Sequence, residues 1–193
     1  MKKVEIENKR VLFKDIFTIT ETNLRFEQFN ERMSQPTRRL VFERGDSVAA
    51  LLLNRDTQHV ILIEQFRYPT YEKGPGWLCE VVAGMIDEGE QPEDAMRREI
   101  HEEIGYQAHE LTHIATFYVS PGGSSERILL YYAEVGTADR VAPGGFYARK
   151  HLVQPFQISP RGRGGLCLAV YCTAAPSLGL DRGTHTGDLR GSS

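Results

Sequence analysis

The segment from Gly84 to Tyr106 predicts a glycine turn followed by a short helix with three carboxylates on one face. Any fold of this chain must include that turn and helix. Glu99, Glu102 and Glu103 have i, i+3 and i+4 spacing, so their side chains project next to one another and repel by roughly 0.2–0.5 kcal/mol per pair. A bound cation would offset this repulsion, and oxygen ligands favour Mg²⁺ or Mn²⁺ over zinc. The alternative interpretation is a solvated acidic helix face without a ligand.

The limits of this helix follow from its flanking residues. Pro92 suits the first turn of a helix, and Gly105 suits the position just past its end. The sequence therefore predicts a helix from about Pro92 to Ile104. Met96, Ile100 and Ile104 form an apolar stripe beside the glutamates, so one face anchors the helix while its neighbour faces a ligand.

Strands are predicted on both sides of the helix. Alternation of apolar and polar residues predicts antiparallel strands in a small N-terminal β-subdomain, and denser apolar runs predict core strands, two of them joined as a hairpin. The segments concerned are 11–42 for the alternating strands, 47–54 and 59–66 for the hairpin, 77–82 for an extended segment, and 111–119 and 128–135 for the later strands, with a surface loop over 68–76. This order predicts an α+β fold with a mixed sheet.

Composition narrows the class of protein. With 193 residues and 40% hydrophobic content, the chain can bury one core, and its net charge of −3 argues against a protein that coats nucleic acid. Three cysteines without a CxxC pair suggest neither a disulfide framework nor a zinc site. Because the chain shows no signal peptide and no membrane-spanning run, we expect a soluble cytoplasmic protein with no membrane partner.

The acidic helix lies in a longer pattern. Gly84, five residues, Glu90, seven residues, Arg98-Glu99-Ile100, one residue, Glu102-Glu103, one residue and Gly105 resemble the Nudix hydrolase box at every fixed position. The resemblance implies an α/β/α sandwich and hydrolysis of a nucleoside diphosphate linked to another group. It also implies the metal ligands, which would be the Ala83 carbonyl, Glu99 and Glu103, with Glu102 a ligand or a catalytic orienting group. We interpret Glu90 and Arg98 as a structural charge pair.

Further motifs narrow the subfamily. Gln65-Phe66-Arg67, the segment from Glu80 to Gly84, and Pro121 are similar to the ADP-ribose and nucleotide-sugar pyrophosphatases. YVSPGGSSERILLYYAEV is especially similar to the GDP-mannose hydrolase branch. In that branch a glutamate three residues after Gly-Gly is the general base, which implies that role for Glu126. The alternative is that Glu126 only begins a strand in solvent.

Arginines are the candidates for binding substrate phosphates, because a guanidinium group can donate to two phosphate oxygens at once. Arg67 is the first choice because its position matches the family motif. Arg38 and Arg39 are further candidates, although a plain solvated face is an equal alternative for this pair. The predicted substrate is a nucleotide sugar of the ADP-ribose or GDP-mannose type.

The C-terminal part departs from the family. No glutamate follows Glu134, and Gly, Pro, Ser, Thr and Arg dominate the remainder, which predicts a poorly ordered tail. We therefore expect three parts, at 1–45 for an N-terminal β-subdomain, 46–143 for the core and 144–193 for the tail. The resemblance implies that the first part forms a homodimer. Because the family's C-terminal acidic loop is missing, a catalytically impaired nucleotide-binding module is the alternative function.

Overall fold

A computed structural model describes residues 2–145, 148–153 and 171–172 of the chain. Its strands and helices follow the order predicted for an α+β fold. The strands are β1 (Val4–Lys14), β2 (Thr18–Phe26), β3 (Thr37–Glu43), β4 (Ser47–Asn54), β5 (His59–Phe66), β6 (Trp77–Glu80), β7 (Val82–Met85), β8 (Thr112–Tyr118), β9 (Arg127–Val135), β10 (Ala148–Val153) and β11 (Tyr171–Cys172). The helices are α1 (Tyr68–Tyr71) and α2 (Pro92–Ile104), and a 3-10 turn spans Thr137–Asp139.

The first three strands form a separate antiparallel sheet in the order β1-β2-β3. The expectation of antiparallel strands is confirmed, but its start at Val11 is wrong, because β1 already begins at Val4. Charged residues in this early part do not prevent strand formation, since Glu7 accepts a hydrogen bond from Arg25 of β2 at 2.7 Å. Every residue of β1 is exposed, so this sheet leaves one edge strand open to solvent.

The core sheet has the order β11-β6-β5-β4-β9-β8, with β10 paired to β5 and β7 paired to β4. Strand β4 is parallel to β9 and antiparallel to β5 and β7, so the sheet is mixed as predicted. The bounds of β4 and β5 agree with the sequence prediction. Because Ala83 of β7 pairs with Ala49 of β4, the start of the acidic segment is fixed to the centre of the core.

Helix α2 has the bounds that the sequence predicts, and it packs its apolar face on the sheet. Met96 and Ile100 are fully buried and Ile104 nearly so, in one cluster with residues of β4 and β5. The helix ends at Gly105, whose φ is 73°. A side chain there would be strained, and its Cβ would lie 2.0 Å from the Ala142 carbonyl oxygen. Glycine thus lets the chain after β9 pass close to the helix end.

The segment 68–76 is not entirely a loop, which corrects the sequence prediction. Pro69 stands in the first turn of the four-residue helix α1, and the Thr70 amide donates to the Arg67 carbonyl at 2.9 Å. A proline at this position favours a helical turn because its φ is already suitable. Neither this turn nor any other helix in the described part of the chain is long and apolar enough to cross a membrane.

The predicted tail lies mostly outside the described residues, and the domain bounds at residues 45 and 143 stay predictions. Two short strands are described within it. The main chain of β10 pairs antiparallel with β5, with Ala148 opposite Gln65, and β11 pairs antiparallel with β6. Before these strands, the Gly145 amide donates to the Glu103 carbonyl at 3.1 Å, so the backbone at Gly145 lies beside the last turn of α2.

Candidate functional site

A cavity of about 850 Å³ opens between the ends of the core strands and the loop that contains α1. Its described lining residues come from segments far apart in the sequence. The polar ones are Arg44, Ser47, Arg67, Thr70, Lys73, Glu80 and Glu126, and the others include Ala83, Gly84 and Met85 of β7 and the apolar Leu78, Val81 and Ile128. The cavity therefore combines cationic side chains with the first residues of the acidic segment.

Two of the helix carboxylates lie against the β7 wall of this cavity. The side chain of Glu99 is only 14% exposed. A Cβ on Gly84 would lie 2.0 Å from the Glu99 carboxyl carbon, so only glycine leaves room for that carboxylate. Glu103 accepts a hydrogen bond from the Ala83 amide at 3.4 Å through Oε2. The structure thus brings together three of the predicted metal ligands, Ala83, Glu99 and Glu103.

Glu103 has an altered proton affinity. Burial, with a further contribution from the neighbouring Glu99 carboxylate, raises the pKa of Glu103 to about 7, while the Ala83 amide acts in the opposite direction. This carboxyl group therefore holds a proton to higher pH than an exposed glutamate does. A cation placed beside it would favour the charged form.

Arg98 provides positive charge within the chain. It donates to Glu90 through Nε and Nη2, both at 2.9 Å, which confirms the predicted structural pair. Its Nη1 also donates to Glu99 at 2.7 Å and to Glu102 at 3.4 Å. The Arg98 guanidinium group lowers the pKa of Glu90 to about 2. Glu102 is 57% exposed, and among the described residues its hydrogen bond is with Arg98 and not with Ala83.

The oxygen atoms of Glu99, Glu103 and the Ala83 backbone suit a hard divalent cation, although the carboxylates do not point at one common position. Carboxylate oxygens of Glu99 and Glu103 lie beside the Ala83–Gly84 backbone, and oxygen donors are the ligands that Mg²⁺ and Mn²⁺ prefer. Within the described ranges, no three His, Cys, Asp or Glu side chains form a ready metal-binding group. Glu99 and Glu102 both accept hydrogen bonds from Arg98 in this arrangement.

Glu126 lies inside the cavity and does not simply begin a strand in solvent. Its Oε1 accepts a hydrogen bond from the Ser47 hydroxyl at 2.9 Å and lies 3.8 Å from Nε of Arg44. Arg44 is a candidate that the sequence interpretation missed. It stands between β3 and β4 in a charged turn with no motif of its own, so only its distance from Glu126 identifies it.

The three predicted phosphate-binding arginines separate into two groups. Arg67 lines the cavity, where its guanidinium group contacts Glu80. Arg38 and Arg39 lie on β3, and among the described residues they do not contribute to the lining. Arg38 donates to Glu21 of β2, and Arg39 donates to the Arg38 carbonyl at 3.1 Å. Their role in substrate binding stays a prediction.

A smaller pocket of about 400 Å³ lies elsewhere on the protein, where Arg55, His109 and Tyr132 are among its lining residues. Among the described residues, it shares none with the larger cavity and includes none of the predicted site residues. The larger cavity is therefore the candidate site.

Comparison with known proteins agrees with this geometry. The model of the NUDIX domain family matches residues 43–155, which is more than half of the chain and includes the acidic helix and Glu126. The chain belongs to the Nudix family. A solved structure of an ADP compounds hydrolase resembles this Nudix chain with a TM-score of 0.57 at 21% identity, over 78% of each chain, and it supports the α/β/α sandwich.

The relatives that are similar in sequence to this Nudix protein include ADP-ribose pyrophosphatases and GDP-mannose pyrophosphatases. An ADP-ribose pyrophosphatase of Escherichia coli (strain K12) is 40% identical over 133 residues, which cover 68% of this chain and 64% of that protein. A GDP-mannose pyrophosphatase of Cronobacter sakazakii is 42% identical over 110 residues, which cover 56% of this chain and 57% of that protein. The Nudix chain thus spans less than two thirds of the length of these relatives.

Proposed function

We propose that this protein hydrolyses the pyrophosphate bond of a nucleoside diphosphate sugar of the ADP-ribose or GDP-mannose type. The products are a nucleoside monophosphate and a sugar phosphate. The main support is the cavity that places Arg44, Arg67 and Glu126 beside the Ala83–Gly84 wall of the acidic segment. The names of the two kinds of relative agree with this substrate class.

Residues of the acidic segment would hold a divalent cation, Mg²⁺ or Mn²⁺. The proposed ligands are the Ala83 carbonyl, Glu99 and Glu103, with Glu102 as a further ligand or an orienting group. When bound, the cation neutralises diphosphate charge and increases the acidity of a water molecule. The raised pKa of Glu103 supports this assignment, because it marks a carboxylate whose charge lacks compensation.

The chain's own residues perform the remaining steps. Arg67 and Arg44 bind phosphate oxygens and orient the diphosphate. Glu126 accepts the proton of the attacking water, while the water oxygen bonds to one phosphorus and the bridging P–O bond breaks. The contact of Glu126 with Ser47 fixes Oε1, and no hydrogen bond within the described part of the chain engages its Oε2. That second oxygen is available for the proton.

The assay that tests this proposal uses purified protein with Mg²⁺ or Mn²⁺ and a panel of ADP-ribose, GDP-mannose, UDP-glucose and dinucleotides. Released phosphomonoesters are measured, and turnover of one nucleotide sugar above the others is expected. Glu103→Gln should abolish that turnover without unfolding the protein. Glu93→Gln is the matched control, because Glu93 is exposed in the first turn of the same helix.

A nucleotide-binding module without turnover is the second candidate. The observation in its favour is that the described carboxylates do not converge into a ready metal-binding group. Binding of ADP-ribose or GDP-mannose in calorimetry, with no phosphomonoester released at any metal concentration, would select this function over hydrolysis.

We also propose that the protein is a homodimer assembled through the N-terminal sheet. The support is the fully exposed strand β1, on which Val4, Ile6 and Val11 are each more than half exposed. Sedimentation equilibrium should give twice the chain mass of 21.8 kDa. Ile6→Glu should shift the protein towards monomer, whereas an unchanged mass would remove β1 from the interface. The cytoplasmic location stays a prediction.

A further inference from the structure

Glu80 is a buried carboxylate in the candidate site to which the proposed reaction gives no role. Its side chain is 5% exposed, and it lies at the end of β6 in the lining of the cavity. A negative charge beside a site for a diphosphate repels the substrate. Burying that charge also requires compensation by hydrogen bonds. The contacts that the Glu80 carboxylate makes should therefore show what offsets the cost of placing it there.

The contacts of Glu80 converge on one oxygen atom. Oε2 accepts from Nε of Arg67 at 3.0 Å, from Nη2 of Arg67 at 2.9 Å and from the Gln65 side-chain amide at 3.2 Å. Oε1 is buried and has no hydrogen-bond partner among the described residues. Both oxygens are thus withdrawn from solvent, and the described hydrogen bonds of the carboxylate fix it to the arginine and its neighbour.

This arrangement leaves a defined part of Arg67 free. A guanidinium group has five N–H donors in one plane. Glu80 uses the Nε donor and one Nη2 donor, so both Nη1 donors and the second Nη2 donor have no hydrogen-bond partner among the described residues. Because the group is planar, fixing the Nε edge also fixes the direction of the remaining donors. The Arg67 side chain is 43% exposed, so without this contact it would sample several rotamers.

The sheet fixes the carboxylate in turn. Glu80 pairs with Ile63 across β5 and β6, and Arg67 follows the last residue of β5. The Arg67 amide donates to the Gly76 carbonyl at 2.6 Å, which holds the backbone of the arginine beside β6. Both members of the pair therefore have a rigid backbone, and the side-chain contact completes the orientation.

We propose that Glu80 is a positioning residue, which holds the Arg67 guanidinium group so that its free donors bind the phosphates of the nucleotide. This inference rests on the proposed function only for the identity of the ligand. Orientation and simple charge predict opposite effects for Glu80→Gln. Removing a negative charge near a phosphate site should tighten binding, whereas releasing Arg67 should weaken it. The sign of the change therefore distinguishes the two.

The test measures ADP binding to the whole chain by calorimetry in EDTA, and KM and kcat with the best nucleotide sugar and Mg²⁺. We expect Glu80→Gln to weaken ADP binding and raise KM by about tenfold, with kcat within about threefold of wild type. Arg67→Ala should weaken binding at least as much. The double variant should be no more than about twofold worse than Arg67→Ala, because Glu80 acts through Arg67.

Two further variants keep the test decisive. Arg67→Lys retains the charge but loses the planar group, so it should also weaken ADP binding about tenfold even if Glu80→Gln does not fold. Asp139→Asn is the matched control, since Asp139 is a mostly buried carboxylate paired with Arg55 outside the cavity. It should bind ADP as wild type does.

Three results with the variants would overturn the inference. These are unchanged or tighter ADP binding by Glu80→Gln, wild-type binding by Arg67→Lys, and losses from Glu80→Gln and Arg67→Ala that multiply in the double variant. Absence of ADP binding by the wild-type protein would also overturn it. Absence of turnover with ADP binding intact would instead refute only the proposed hydrolysis, and the role of Glu80 would be decided by the binding data.

Discussion

Glu103→Gln should change the pH dependence of stability in the metal-free protein, apart from its effect on activity. In the fold, burial and the Glu99 carboxylate raise the pKa of Glu103 from 4.5 to about 7. The folded protein therefore binds this proton more tightly than the unfolded chain does. The resulting stabilisation is fully present below pH 4.5 and is lost as the pH rises through about 7.

The size of this effect follows from the two pKa values. One pKa unit corresponds to about 1.4 kcal/mol, so the free energy of unfolding should fall by about 2.5 kcal/mol between about pH 5 and about pH 8 because of Glu103 alone. Glutamine has nearly the same shape and does not titrate. The Glu103→Gln variant should therefore lack this part of the decrease and gain stability relative to wild type as the pH rises.

Urea unfolding in EDTA, at pH values on both sides of 7, measures the effect through the shift in midpoint at constant m-value. Glu102→Gln is the control, because Glu102 is adjacent in sequence but exposed, and its variant should follow the wild-type pH dependence. Equal pH dependence for wild type and Glu103→Gln would refute the reasoning. It would mean that Glu103 keeps the same charge in the folded protein across this pH range.

Three further predictions concern stability. Arg98→Ala removes the paired contact with Glu90 and should lower the melting temperature by roughly 5 °C. Arg97→Ala removes exposed helix pairs and a long, exposed contact with the His109 carbonyl, so it should lower the melting temperature much less in the same thermal scan. Ile100→Ala empties a fully buried position and should reduce the free energy of unfolding by about 2–5 kcal/mol in urea titrations. Gly105→Ala should destabilise the protein more than Gly89→Ala in those titrations, since both have positive φ but only Gly105 has main-chain atoms where the Cβ would stand.

Local sequence patterns predicted the helix and the hairpin strands well. The ends of α2 follow from Pro92 and Gly105, which act on the backbone next to them, and its buried face follows from a spacing of four residues. Strands β4 and β5 are dense apolar runs separated by turn residues, so their limits are visible without any knowledge of the fold. Each of these features depends on interactions within a short stretch of chain.

The parts of the site that the sequence missed depend on contacts between distant segments. Arg44 and Glu126 are close only because β4 runs parallel to β9. The contact of Glu80 with Arg67 likewise requires β6 to lie beside β5. The sequence patterns identified Glu126 and Arg67, but they did not show which residues contact them. The assignment of Arg44 and the contact between Glu80 and Arg67 therefore required the structure.

Two features of the chain offset part of the negative charge of the acidic segment. Glu99 and Glu102 would repel each other, but both accept hydrogen bonds from Arg98. Among the described residues Glu103 accepts no hydrogen bond from Arg98, and the rise of its pKa to about 7 lets it take up a proton instead. Arg98 shares its single charge with Glu90, so a proton on Glu103 removes one further charge, and the stabilisation from that proton is lost mainly between about pH 5 and about pH 7. A divalent cation held by the proposed ligands would therefore compete with the proton for Glu103 and with Arg98 for Glu99.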